Sequence, residues 1–291
     1  MTDAQRTPTP IDTIADAWVD TLAEQSPTTA TYIGRSDFND RFGDYSPAGA
    51  DELADQARTT RSALQNAEPV DAVDEVTRTD LLRELDLQLE LHEAQSHLRD
   101  LNVIASPAQD IRAVFDLMPT ATVDDWSVIS TRLKALPAAV DGYVATLREG
   151  IARGVVPARR QVREVVTQIA RYTADTGFFA SFVGDAAPEE GSLPASLARD
   201  LNAHAGAARV AYDALASFLA GELAPAAGEA DGVGRDLYAL HSRQFLGASI
   251  DLDETYEWGL QELARMVAEQ ESIANEIRPG ASVAEAVAFL E

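Results

Sequence analysis

The sequence contains no cysteine, one lysine and four histidines in 291 residues. Without cysteine there is no disulfide, thiolate zinc site, iron–sulfur cluster or cysteine nucleophile. Basic residues are scarce as well: 23 lysines and arginines stand against 48 aspartates and glutamates, which gives a net charge of −25. Nucleic acids and anionic membrane surfaces bind clustered cations, so we expect neither as a partner of this acidic chain.

Long apolar runs are also missing. The most apolar stretch, GFFASFV at residues 177–183, is far shorter than the roughly 20 residues that a membrane-spanning helix needs. The first residues, MTDAQRTPTPIDTIADAW, lack the basic segment followed by an apolar segment that forms a secretory signal. These absences predict a protein of the cytoplasm.

Helical periodicity is present in almost every stretch between glycine and proline breakers, and the alternation typical of strands is nearly absent. The pattern predicts an all-α fold, an irregular multi-helix bundle of long amphipathic helices. We expect one helical domain over residues 1–291, with flexible linkers near 184–194 and 224–234. The predicted helices cover about residues 11–24, 48–66, 74–100, 108–117, 124–153 with a break near Pro137, 159–183, 195–223, 235–246 and 253–277.

The last residues of the chain predict an incomplete fold. Arg278-Pro279-Gly280 ends one helix, and Ser282 followed by Glu285 has the form of a capping box that begins another. That helix is cut off at Glu291 about two turns later, so the chain is expected to be truncated. Helix faces without their partners would then leave an exposed apolar patch on the last two helices and cause self-association.

His92 and His97 are the candidate metal ligands nearest each other in the sequence, and they lie five positions apart. On a helix that spacing places the two side chains about 140° apart, whereas the zinc peptidase motif needs a spacing of four. Asp86, Glu90 and Glu93 share a strip of the predicted helix with His97, which is either a metal site or a solvated acidic strip. No histidine follows a glutamate by three residues, as a ferritin-like di-iron site requires.

Candidate substrate-binding residues come from one basic segment and one aromatic segment. Arg159 and Arg160 belong to the basic segment, and they either receive a substrate carboxylate through bidentate hydrogen bonds or pair with neighbouring acids. Tyr238 and His241 lie in an aromatic setting that either lines a pocket or packs in the core. The basic segment contains Arg148, Arg153, Arg159, Arg160, Arg163 and Arg171.

Several longer strings resemble a known bacterial family, the domain of unknown function 885. They follow the family order over nearly the whole chain, and they include SPTTATYIGRSDFNDRFGDYSP at 26–47, DEVTRTDLLREL at 74–85, RDLNVIASPAQDI at 99–111, TRLKALPAAVDGYVATLREGIARGVVPARRQV at 131–162 and SIDLDETYEWGLQELARMVAEQESIANEIRPGASVAEAV at 249–287.

The resemblance implies a larger helical fold of which this chain is the N-terminal half. Family members are about twice as long, and their C-terminal half carries a His-Glu-x-x-Pro-Gly-His-like motif that resembles zinc metallopeptidases. No such motif occurs here, so no catalytic or metal residue is carried over, and zinc is expected only in a full-length protein. The chain would then wall or cover a peptide channel and pack on the missing C-terminal half. The alternative is a non-enzymatic helical binding or scaffold module.

Overall fold

A computed structural model describes residues 6–291, and in that range it contains helices, turns and irregular segments but no strand. The predicted all-α multi-helix fold is confirmed. The first five residues of the predicted 1–291 domain lie outside the described range. The helices are α1 (Pro10–Gln25), α2 (Pro27–Tyr32), α3 (Pro47–Asn66), α4 (Ala72–Glu93), α5 (Pro107–Ala113), α6 (Val123–Arg153), α7 (Arg159–Thr173), α8 (Phe178–Gly184), α9 (Ala195–Phe218), α10 (Ala224–Ala226), α11 (Arg235–Leu246), α12 (Leu252–Ile277) and α13 (Val283–Leu290).

Local hydrogen bonds explain where the helices begin. Thr9 and Thr122 form capping boxes at the starts of α1 and α6, because each hydroxyl accepts an N–H that the first helical turn leaves unpaired. Ser282 and Glu285 form the predicted capping box of α13. Gly154 ends α6 with a φ of 71°, a left-handed conformation that glycine adopts without strain.

Three predictions about the helices were wrong. The helix predicted over residues 159–183 is divided into α7 and α8 by a turn at residues 174–177. The helix predicted over residues 74–100 ends at Glu93, because Gln95 has a φ of 56° and turns the chain into a short 3-10 segment, Ser96–Arg99. His97 therefore does not lie on α4, and the predicted strip shared with Asp86 does not form. The predicted break at Pro137 is also absent, since α6 is one helix of 31 residues that runs through it.

The chain divides into two compact units, Met1–Leu237 and Tyr238–Glu291, and each is described by itself. The core of the first unit lies between α6 and α9, where Leu133, Leu136, Tyr212 and Leu215 are fully buried. A smaller core joins α1, α3 and α4. On the outer side of α6, Lys134 is exposed. The single-domain organisation stays a prediction.

A buried carboxylate connects the starts of α1 and α4. Asp74 has no exposed surface, and it accepts hydrogen bonds from the Thr9 hydroxyl at 2.8 Å and from the Val70 N–H at 2.9 Å. Its third partner is the Arg6 guanidinium, which also binds Asp71. The hydrogen bonds from Arg6 hold the pKa of Asp71 at about 2. This cluster anchors the N-terminal helix to α4.

The second unit consists of the end of α11, α12 and α13, and most of its apolar side chains are exposed. Ala274 is the buried residue of α12 and Ala286 that of α13. An exposed apolar patch on the last two helices was predicted. Its large members are Tyr256, Trp258, Leu260, Leu263, Met266, Val267, Ile273, Ile277, Val283, Val287, Phe289 and Leu290, which we call the α12–α13 apolar surface.

Within residues 6–291, every helix is too short or too polar to span a lipid bilayer. Location in the cytoplasm stays a prediction.

Candidate functional site

The predicted binding residues Arg159 and Arg160 stand at the start of α7 and are engaged by the segment after α10. Arg159 donates from Nε to the Ala224 carbonyl at 2.9 Å and from Nη2 to the Ala227 carbonyl at 2.8 Å, and its Nη1 pairs with Glu229. Arg160 pairs with Asp231, with Nη2 and Oδ2 3.0 Å apart. In this state both guanidinium groups bind the protein itself, and their role towards a substrate stays a prediction.

The other two predicted binding residues belong to the second unit. Tyr238 is 56% exposed, and the Nδ1 atom of His241 lies 3.2 Å from the Gln244 side-chain oxygen, one helical turn later on α11. Arg159 and Arg160 belong to the first unit, whereas Tyr238 and His241 belong to the second. The position of each pair is therefore described only within its own unit. Their contribution to one common site therefore stays a prediction.

An open groove of about 460 Å³ lies between α7 and the end of α9. The chain forms a π-helical turn at Leu219–Leu223 directly after α9. Such turns carry one extra residue per hydrogen-bonded ring and are frequent at functional sites. This turn and α10 form one side of the groove, and α7 forms the other. The groove is lined by Arg159, Val162, Arg163, Val166, Ala220, Ala224 and Pro225.

Arg163 also lines this groove, and it belongs to the basic segment but not to the predicted binding residues. It lies one helical turn after Arg159 and is exposed. Among residues 6–291 its guanidinium has no hydrogen-bond or ion-pair partner. The Arg159 guanidinium is held in the groove wall by its own hydrogen bonds. The Arg163 guanidinium has N–H donors available beside Val162 and Val166. The groove therefore combines an apolar floor with one available cation, which suits an apolar ligand with an anionic group.

The residues considered for a metal do not fit one. Among the residues that the structure describes, no group of three or more histidine, aspartate or glutamate side chains could hold a metal ion. The predicted metal strip is interrupted because Asp86 pairs with Arg61 and because His97 lies on the 3-10 segment.

The two histidines form a stacked pair instead. Their ring centroids are 5.0 Å apart with an interplanar angle of 10°, and the Nε2 atom of His92 lies 3.2 Å from the Asp51 carboxylate. Burial, together with the neighbouring His92, lowers the pKa of His97. The left-handed Gln95 brings the rings together, so the pair is explained by the local backbone.

Residues 27–291 match the family described as bacterial protein of unknown function (DUF885). The chain belongs to this family. Among curated proteins, none matches the sequence. The predicted family resemblance of the DUF885 chain is thereby confirmed, although the family description assigns no activity.

Two solved structures share the fold of this DUF885 chain. The putative lipoprotein from Colwellia psychrerythraea aligns with a TM-score of 0.78 at 16% identity, over 98% of this chain and 54% of that protein. A putative lipoprotein of unknown function from Shewanella oneidensis aligns with a TM-score of 0.70 at 16% identity, over 98% of this chain and 52% of that protein. The chain thus spans about half the length of the solved proteins it matches.

Proposed function

We propose that this chain is the helical substrate-binding part of a zinc-dependent peptidase and is catalytically incomplete by itself. The observation that supports substrate binding is the available Arg163 cation beside the apolar floor of the groove. The peptidase part rests on the resemblance of the family to zinc metallopeptidases. In this proposal the chain forms a wall or lid of a peptide channel, and the zinc ligands come from the family's C-terminal half.

Arg163 is proposed to bind a peptide carboxylate while the valine and alanine side chains contact its last apolar residue. A guanidinium binds a carboxylate through two parallel hydrogen bonds, and each charge-assisted bond is stronger than a neutral one. Because the groove is open to solvent, we expect this interaction to contribute about tenfold in affinity, or about 1.4 kcal/mol. Arg159 would shape the groove through its bonds to the Ala224 and Ala227 carbonyls.

Replacing Arg163 with glutamine is expected to weaken binding of a fluorescein-labelled leucine-rich hexapeptide about tenfold, because the anchoring cation is lost. Fluorescence polarisation measures this dissociation constant. The same peptide with a C-terminal amide should bind the original protein about tenfold more weakly and should not respond to the substitution. Arg171→Gln is the matched control, since Arg171 is also exposed on α7 but does not line the groove. Equal binding of acid and amide would contradict the proposal.

Peptidase activity is tested in the longer protein that carries the family's C-terminal half. Zinc content measured by atomic emission and cleavage of a diverse peptide library are the two readouts. Absence of both zinc and cleavage would overturn the peptidase proposal while leaving peptide binding by the groove intact. The alternative, a non-enzymatic binding or scaffold module, is supported by the lack of a metal cluster among residues 6–291. It predicts stoichiometric peptide binding without turnover.

The α12–α13 apolar surface is proposed to pack against the family's C-terminal half. The solved relatives contain about as much chain again as the part that matches here. Leu263 and Met266 are 59% and 50% exposed, and Trp258 is 61% exposed. Large apolar side chains exposed in such number mark interaction surfaces. With residues 1–291 alone, two copies are expected to bury this surface against each other.

Leu263→Glu is expected to shift residues 1–291 towards monomer, because a charge in the buried contact loses its hydration. Sedimentation equilibrium over a wide protein concentration range gives the association constant. Gln261→Glu adds the same charge to a polar, exposed position of α12 and should leave self-association unchanged. A monomer at all concentrations for the unaltered chain would refute this use of the surface.

Location in the cytoplasm stays a prediction that cell fractionation can check.

A further inference from the structure

Arg132 is a fully buried arginine without a counter-ion. It projects from α6 towards the segment after α2 and has no exposed surface. Its Nη1 donates to the Thr31 hydroxyl at 2.8 Å, and its guanidinium carbon lies 5.0 Å from the centre of the Phe42 ring. Within residues 6–291 no carboxylate forms an ion pair with it. Fully buried arginines are rare unless they are paired.

One edge of this guanidinium is unused. Nε and Nη2 have no hydrogen-bond acceptor among the described residues, although a buried charged donor without an acceptor is strongly destabilising. Burial lowers the pKa of Arg132 to about 10, while Tyr45 and Asp40 raise it. The group therefore stays cationic at neutral pH. The fold tolerates an uncompensated charge at a position where an apolar side chain would be more stable.

The free edge has the geometry that a carboxylate recognises. Nε and Nη2 point in the same direction and bind the two oxygens of a carboxylate through parallel hydrogen bonds. Phe42 covers the flat face and Thr31 holds the opposite Nη1, so the guanidinium is held with this edge free. A carboxylate carries one negative charge and would neutralise the single cation. A phosphate dianion would leave one charge uncompensated in the interior.

The cover over Arg132 consists of irregular chain. Residues 33–46 connect α2 and α3 and contain only one short 3-10 segment, Ser36–Phe38. The charged residue of this cover that faces Arg132 through space is Asp40, and its carboxylate binds Arg41 at 2.8 Å. Segments with few regular hydrogen bonds open at low free-energy cost. A ligand can therefore reach the buried edge when this cover moves.

We propose that Arg132 is the anchor of a second binding site, which takes the carboxylate of a small ligand when residues 33–46 open. The site is independent of the proposed peptide groove, because Arg163 lies on another helix and is exposed. Retaining an unpaired buried charge lowers the stability of the unliganded protein, and the ligand carboxylate compensates for it.

The test uses acetate, butyrate and phenylacetate as probes, each compared with chloride at the same ionic strength. We expect at least one probe to raise the Tm of the unaltered protein by about 3 °C and to change the hydrogen exchange of residues 33–46. Arg132→Met should melt at a higher temperature than the unaltered protein in chloride and should not respond to the probe. Arg132→Lys keeps the charge without the two-pronged edge and should also lose the response.

Arg163→Gln is the control and should keep the probe-induced change in the hydrogen exchange of residues 33–46, because that change does not involve the groove. No effect of any probe on Tm or hydrogen exchange of the unaltered protein would overturn the proposal, whatever the variants do. A change in the hydrogen exchange of residues 33–46 that persists in Arg132→Met would also overturn it. A lower Tm for Arg132→Met than for the unaltered protein would show that the arginine stabilises the fold by packing. That result would also count against the proposal.

Discussion

Replacing Asp74 with alanine is expected to lower the free energy of unfolding by about 3 kcal/mol. The carboxylate is fully buried, and three groups donate hydrogen bonds to it: the Thr9 hydroxyl, the Val70 N–H and the Arg6 guanidinium. Alanine leaves the buried Thr9 hydroxyl and the partly buried Val70 N–H without this acceptor. It also removes an acidic side chain from the first turn of α4, where the helix dipole favours negative charge.

Urea denaturation followed by circular dichroism measures this loss. Asp80→Ala is the control on the same helix, because Asp80 is exposed and its nearest cation, Arg83, is 3.8 Å away. Exposed pairs of this kind contribute little, so the control should stay within about 0.5 kcal/mol of the unaltered protein. A similar loss in both variants would mean that the buried hydrogen bonds of Asp74 do not determine stability here.

Gly150→Ala is expected to destabilise the protein by about 2 to 3 kcal/mol, because no room exists for a side chain at this position of α6. An added Cβ would lie 2.4 Å from the Leu98 carbonyl oxygen and 2.6 Å from the Val155 carbonyl oxygen. Both neighbours are backbone atoms, which cannot rotate away. The 3-10 segment Ser96–Arg99 would have to move off α6, and the hydrogen bond from Tyr143 to the Asp100 carbonyl, 2.7 Å long, would be strained.

The same substitution at Gly206 should have the opposite sign. Gly206 lies inside α9, and nothing lies within 4 Å of an added Cβ. Alanine favours a helix over glycine by about 0.5 to 1 kcal/mol, so Gly206→Ala should raise stability by that amount. Thermal and urea melts of the two variants form a matched pair. Equal effects in both would show that the close approach at Gly150 is unimportant.

The helical architecture could be predicted because its signals are local. The Ser282–Glu285 capping box needs only four residues of sequence, and the long amphipathic helices follow from periodicity. The end of α4 could not be predicted in this way. Leucines and acidic residues continue the helical pattern beyond Glu93. Gln95 has a left-handed backbone conformation, which glutamine rarely adopts, so the sequence gives no signal for the helix end. Pro137 gives a break signal that the packing around α6 overrides.

The candidate sites were less predictable, because they depend on which arginines find partners. Sequence composition marks a basic segment but does not show that Arg159 binds backbone carbonyls while Arg163 stays available. Arg132 occupies a buried position of α6, where a charged residue is not expected. Only the three-dimensional structure shows that no carboxylate pairs with it. The sequence signal that could have found it is a charged residue in an apolar stripe, since Ile129, Leu133 and Leu136 share its helix face.

The exposed Lys134 on α6 gives this protein an unusual labelling chemistry. It is the only lysine in the sequence, so apart from an α-amino group it is the one primary amine that an acylating dye can modify. A dye on Lys134 would sit on the outer side of the helix whose inner side holds Arg132. Fluorescence from that position could follow α6 without cysteine substitution.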